Sequence, residues 1–239
     1  MEQRQNKFGL RADVLKWIAL FAMLIDHIAF AFVRTDTLPG VFMHGIGRIT
    51  MPVMCFFIAE GFAHSRNVKK YALRLLLFAL VSQVPYTFLQ TGQLFPRYDT
   101  LPDLLGSLNV LFTLLFGLLA LWAYKSGLPV VVKILAVIVL CVLSLSADWT
   151  VCGVLFILAF GLFRGNFKLQ ALWFSAVSVL FVAYVSWNQP VLLLQAGVFL
   201  SLPLIYLYNG KRGLHALGKW GFYVFYPLHL LVLGWIRTW

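Results

Sequence analysis

Two ionisable residues close a segment that is otherwise apolar: Leu15-Lys-Trp-Ile-Ala-Leu-Phe-Ala-Met-Leu-Ile-Asp26-His27. A charged side chain near the middle of a bilayer costs at least ~3 kcal/mol on insertion scales, so an Asp-His pair at that depth needs a partner or a task. An imidazole beside a carboxylate is suited to proton transfer, with His27 as general base and Asp26 as its electrostatic or structural partner. The plainer alternative is a buried hydrogen-bonded pair that joins helices. Lys16 precedes His27 by eleven residues. At about 100° per residue, eleven steps come within about 20° of three full turns. On a helix the two side chains therefore share one face, roughly 16 Å apart along the axis.

Other polar residues interrupt the apolar runs at helical spacing. His44 and Arg48 are four apart and share a face. Pro52 follows, and proline interrupts helical hydrogen bonding and can open carbonyls to a cavity. Arg48 falls about 10 Å below the outer edge of its run, a depth comparable to that of Asp26. An Arg48–Asp26 ion pair is one way to bury both charges, and contact with a substrate or transition state is the other. Glu60 and His64 are also four apart, as an interfacial pair or as catalysts. Lys69 and Lys70 open the next run, and Arg74 follows about one turn later. Arg74 can snorkel to the interface or bind a phosphate there. Ser82, Gln83, Pro85 and Tyr86 form a second polar patch, where Pro85 is expected to break the helix. Asn109 and Asp148 stand at the starts of runs, as caps or as site residues. In the last run Tyr226 and His229 share a face, and counting from Lys219 puts His229 near the depth of His27. The two imidazoles line one cavity or, alternatively, His229 is a satisfied histidine in an aromatic cluster.

The elements that must position these residues follow from composition. Of 239 residues, 62% are hydrophobic and 11% charged, with a mean hydropathy of +0.88, against about 25% charged in soluble domains. The apolar runs are continuous and do not alternate, which excludes a membrane β-barrel. The expected fold is all-α: one integral-membrane domain over residues 1–239 with about nine transmembrane helices. They fall near 14–33, 42–63, 70–90, 107–124, 130–146, 149–163, 169–187, 190–208 and 217–236. The net charge of +11 is read as topological and not as a nucleic-acid footprint. With the N-terminus inside, one side carries Arg4, Lys7, Arg11, Lys16, Arg66, Lys69, Lys70, Lys125, Lys133, Arg164, Lys168, Lys211, Arg212 and Lys219. The other carries Arg34, Arg97 and Arg237 together with Asp36, Asp99, Asp103 and Asp148. This asymmetry predicts N-in, C-out. The first run reads as a retained anchor. No internal repeat supports an inverted-repeat transporter. Cys55, Cys141 and Cys152 read as packing residues with no metal-ligand spacing, and a Cys141–Cys152 disulfide stays open.

Taken together, several ordered motifs resemble the TraX family. They are Lys16 to Asp26-His27, Gly47-Arg-Ile-Thr-Met-Pro52 into Ala59-Glu-Gly-Phe62, and Arg74 to Ser82-Gln-Val-Pro-Tyr86, followed by Asn109-Val110, Asp148 and Tyr226-Pro-Leu-His-Leu230. The family's namesake is linked to N-terminal acetylation of F-type conjugative pilin. The family in turn looks related to membrane acyltransferases with an Arg-x10-His pattern in the first span. Here the pattern is Lys16-x10-His27, which keeps the charge and loses the bidentate fork. The resemblance implies an acyl-CoA-dependent enzyme, a multi-pass protein of the bacterial inner membrane. It would take an acetyl group from cytoplasmic acetyl-CoA, with no metal, and pass it to a pilin N-terminus or an envelope glycan or peptide at the outer side. The expected catalytic group is His27, Asp26, Arg48, His229 and Tyr226, with the roles of His27 and His229 undivided. Lys16, Arg74, Lys69 and Lys70 are expected at the donor's phosphates. His44, Glu60, Gln83, Tyr86, Asn109 and Asp148 are candidates for substrate or structural contacts. Expected partners are acyl-CoA, membrane lipid and the acceptor, without nucleic acid. The competing functions are a proton-coupled transporter relaying through Asp26, His27 and His229, and a non-catalytic membrane scaffold.

Overall fold

Every apolar run forms helix in the computed structural model, which describes residues 9–95, 108–188, 192–211, 213 and 221–239. The loop from Pro96 to Gly106, and Arg4, Lys7, Arg212, Lys219 and Trp220, lie outside the described residues. In chain order the helices are α1 (Ala12–Phe32), α2 (Leu38–Gly47), α3 (Thr50–His64), α4 (Val68–Thr91), α5 (Val110–Lys125), α6 (Val130–Ser144), α7 (Thr150–Leu162), α8 (Phe167–Asn188), α9 (Leu192–Ala196), α10 (Ser201–Tyr206) and α11 (Gly221–Thr238). A 3₁₀ turn, Gly197–Leu200, joins α9 to α10. Among the described residues the extended pairings are the isolated bridges Leu10–Tyr208 and Leu108–Ala147.

Four segments are long and apolar enough to cross a membrane: Ala12–Phe32, Leu38–His64, Val68–Thr91 and Phe167–Trp187. The other apolar helices are shorter. The 15 residues of α6 reach about 22 Å at 1.5 Å per residue, against ~30 Å of hydrocarbon. Helix α6 nonetheless exposes Val131, Ile134, Leu135, Ile138, Val139 and Val142. That continuous apolar surface is what lipid solvates.

The described chain forms two compact units: Met1–Met54 with Phe163–His229, and Cys55–Leu162 with Leu230–Trp239. In the first, α1 packs on α2, and α2 packs on α9 and the 3₁₀ turn. A Cβ at Gly197 would overlap the backbone of Gly45. Glycine there lets the two segments approach at backbone distance. Thr37 caps α2 by accepting from the Gly40 amide at 3.2 Å. Helix α2 stops at Gly47, one turn before Pro52. Proline lacks an N–H and its ring clashes with the carbonyl four residues back, that of Arg48. The single span expected over 42–63 is therefore two helices with a break at residues 48 and 49. The span expected over 190–208 is likewise interrupted, as α9, the 3₁₀ turn and α10, with Pro203 in the first turn of α10.

In the second unit α5 packs against α4, α6 and α7 around a core that includes Phe156, Phe160, Leu114, Leu118 and Leu121. Pro85 does not break its helix, contrary to expectation: α4 is continuous from Val68 to Thr91. Hydrogen bonds to the adjoining turns hold it. Thr87 Oγ1 donates to Gln83 O at 2.8 Å, and Asn109 Nδ2 donates to Ala79 O at 2.7 Å. The three cysteines are free thiols.

Candidate functional site

Neighbouring residues on a helix point about 100° apart, and this separation splits Asp26 and His27 between two partners in the first unit. Asp26 faces α2, whose i, i+4 pair turns His44 and Arg48 toward it. His44 Nδ1 donates to Asp26 Oδ1 at 2.7 Å, and an Arg48 guanidinium nitrogen donates to the same oxygen at 3.4 Å. The helices meet this closely because residue 47 is glycine. A Cβ there would overlap the Asp26 side chain. The side chains of Asp26 and Arg48 keep 21% and 19% of their exposure, while His44 is buried. His44 Nε2 has no hydrogen-bond partner among the described residues. Thr50 Oγ1 adds a further tie to α1, donating to the Ala19 carbonyl at 3.1 Å.

His27 faces α11. Its Nδ1 lies 2.7 Å from His229 Nε2, and the two rings meet end-on, with centroids 4.9 Å apart and planes inclined at 28°. His229 Nδ1 donates to the Phe225 carbonyl at 2.8 Å, one helical turn back. The Phe225 ring stacks on His229 at 4.7 Å and 16°, and Tyr226 lies 5.8 Å from it at 58°. His229 and Tyr226 are buried, at 6% and 4% exposure, and His27 is half-buried. Nearer the start of α1, the Lys16 ammonium sits 5.6 Å from the centre of the Phe222 ring, a cation–π contact. The site thus has two arms from one helix turn: a carboxylate shared by an imidazole and a guanidinium, and a pair of imidazoles. The first can hold a fixed negative charge and a nearby cation. The second can take up and release a proton.

The remaining candidates belong to the second unit. Glu60 is buried, and His64 Nδ1 donates to the Glu60 carbonyl at 2.8 Å with the carboxylate at 3.8 Å. Arg74 lies over the Tyr71 ring at 5.5 Å, and Lys69 and Lys70 are exposed. Asn109 caps α5, accepting from the Leu111 amide at 3.0 Å, and its Nδ2 reaches Gln83 Oε1 at 2.8 Å. Asn109 and Gln83 thus form a buried clasp between α4 and α5. Tyr86 is half-buried in α4, and Asp148 is exposed, its backbone carbonyl accepting from the Thr113 hydroxyl.

Depth counting places Asp26 with Arg48 and His27 with His229, and the structure joins both pairs. What it misses is that His44 is the closer partner of Asp26, and that the Phe225 carbonyl holds the second imidazole. One signal for the first was present. Gly47 falls three residues after His44 on α2 and therefore shares its face, so His44 is carried on a side with room for close approach.

A family profile described as TraX protein matches residues 11–237. The probable fimbrial assembly protein FimC, serogroup H1, of Dichelobacter nodosus is 36% identical over 226 residues, 92% of either chain. Uncharacterized protein RP591 of Rickettsia prowazekii (strain Madrid E) is 36% identical over 85 residues, which cover 36% of this chain and 30% of that one. No solved structure matches the chain.

Proposed function

This chain belongs to the TraX family, and from that premise we propose that it is an acyl-CoA-dependent acyltransferase of the bacterial inner membrane. It moves an acetyl group from cytoplasmic acetyl-CoA to an acceptor at the outer side. The observation that carries this reading is the 2.7 Å contact between His27 and His229, set in helices that are predominantly apolar. Ionisable residues at that depth are costly and rare, and by default mark a functional site.

The topology that accompanies the reading is nine spans with the N-terminus inside. The basic asymmetry of the sequence supports it, and the four shorter apolar helices together with α11 would complete the count begun by the four long ones. On this reading Lys16 marks the cytoplasmic end of α1, where an anionic donor head would stay, and His27 lies about half a membrane deeper on the same face. Lys16 is the first unit's candidate contact for the donor phosphates. Lys69, Lys70 and Arg74 are the second unit's candidates, each testable by its own substitution.

In the reaction, His27 takes the proton of the acceptor amine or hydroxyl as that group attacks the thioester carbonyl. A C–N or C–O bond forms, the C–S bond breaks, and the proton held by His27 passes to the departing thiolate. Arg48 and the Tyr226 hydroxyl are the proposed stabilisers of the oxyanion in this low-dielectric setting. Asp26 keeps Arg48 and His44 oriented. For the acceptor, the fimbrial name of the Dichelobacter relative supports the N-terminal amine of a pilus subunit, and an envelope glycan or peptide is the other class. The test is acetyl transfer by membranes carrying wild-type protein or His27→Ala at equal abundance. Loss of transfer in the variant is expected, and full retention rules out the general-base role.

A further inference from the structure

We propose that His229 is a positioning residue that fixes the tautomer of His27 and thereby leaves the proton-accepting lone pair on His27 Nε2. This rests on the acyl-transfer reading for its consequence and on geometry alone for its assignment.

The assignment starts from a group with no choice. The Phe225 carbonyl oxygen can only accept, so the hydrogen in its 2.8 Å contact with His229 sits on His229 Nδ1. A neutral imidazole carries one N–H. His229 Nε2 is therefore a bare acceptor, and it lies 2.7 Å from His27 Nδ1. Two lone pairs do not face each other at that distance, so His27 Nδ1 carries the hydrogen and donates it. The neutral His27 then has its lone pair at Nε2. This is also the ring nitrogen farther from the α1 backbone. The chain runs in one sense from a fixed backbone carbonyl to a single basic atom.

His229 cannot readily turn to undo this. Its ring is stacked on Phe225 at 4.7 Å and 16°, is flanked by Tyr226, and is buried. When His27 takes a proton from the acceptor, the new hydrogen enters at Nε2 and the existing Nδ1–H stays donated to His229. The imidazolium so formed keeps its hydrogen bond, and the ring does not rotate between taking the proton and passing it on. His27 is the catalytic residue, and His229 acts through it.

Three proteins test this: wild type, His229→Gln, and His229→Leu. The glutamine side chain can place a carbonyl oxygen where His229 Nε2 was, whereas leucine keeps apolar bulk and offers no acceptor. The readouts are histidine-selective nitrogen NMR of His27 in the purified protein and the acetyl-transfer rate. We expect the wild-type His27 to be the Nδ1–H tautomer. In His229→Leu the preference is lost and kcat falls at least about tenfold, out of the ~10²–10⁴ that a general base supplies, at unchanged KM for acetyl-CoA. His229→Gln restores both the tautomer and most of kcat. An Nε2–H tautomer in the wild type overturns the proposal outright, even if the leucine variant fails to accumulate. So does an unchanged tautomer and rate in His229→Leu. Absence of acetyl transfer by the wild type, with the Nδ1–H tautomer found, overturns the acyl-transfer reading and leaves the positioning assignment standing.

Discussion

Replacing Asp26 with leucine should destabilise the contact between α1 and α2 by about 3 kcal/mol. Two interactions are lost at once. One is the 2.7 Å hydrogen bond from His44, worth ~1–2 kcal/mol by model-peptide values for interhelical bonds within a membrane. The other is the 3.4 Å pairing with Arg48, whose loss takes the carboxylate charge away from a part-buried guanidinium. Removing one member of a buried ion pair typically costs ~3–5 kcal/mol in total. The partial exposure of both side chains, 21% and 19%, places this pair at the lower end of that range. Arg48→Met should cost less, ~1–2 kcal/mol, because Asp26 keeps the short bond from His44. The two substitutions together should not add. The pairing they share can be lost only once, so the double variant should recover about 1–2 kcal/mol relative to the sum. The assay is reversible unfolding in mixed micelles with increasing denaturing detergent, run as a double-mutant cycle. Effects that add to within ~0.5 kcal/mol would refute the claim that Asp26 and Arg48 form one unit.

Gly47→Ala should reduce folded yield and thermal stability, because the added methyl overlaps the Asp26 side chain. A fully stable alanine variant, measured by melting in detergent, would mean that α1 and α2 sit farther apart. Asn109→Ala removes a helix cap and the Gln83 and Ala79 contacts and should cost about 2 kcal/mol in the same unfolding assay. Lys16→Met should leave folding intact and abolish any rise in melting temperature on adding acetyl-CoA. A shift equal to that of the wild type removes Lys16 from the donor site.

The sequence makes some levels of this architecture legible and hides others for physical reasons. Helix positions follow from apolar runs and their punctuation, which is why α1 and α4 lie within two residues of their expected bounds. Proline is harder to read, since its effect depends on what surrounds it. Pro52 sits one turn past a break and Pro203 in a first turn, whereas Pro85 lies in a helix whose adjoining turns are tied by Thr87 and Asn109. The depth of a side chain along its helix can be counted, so Arg48 can be matched to Asp26 and His229 to His27. Direction between helices cannot be counted. The 100° step between Asp26 and His27 says that they point apart, but only packing says that His44 stands closest to the carboxylate. The Phe225 carbonyl carries no sequence signal of its own, because any residue at position 225 supplies a backbone oxygen. Its role becomes visible only once the His229 ring is seen to bend back toward it.

The central claim is that a histidine half a membrane deep serves as the general base in acyl transfer, and one measurement reaches it directly. Wild-type and His27→Ala protein, each purified and reconstituted in lipid, are supplied with radiolabelled acetyl-CoA and a peptide bearing the N-terminal sequence of a co-occurring pilus subunit. Label should pass to the peptide with the wild type, and the rate should fall at least about a hundredfold in His27→Ala, as loss of a general base requires. Equal transfer by the two proteins would contradict the account.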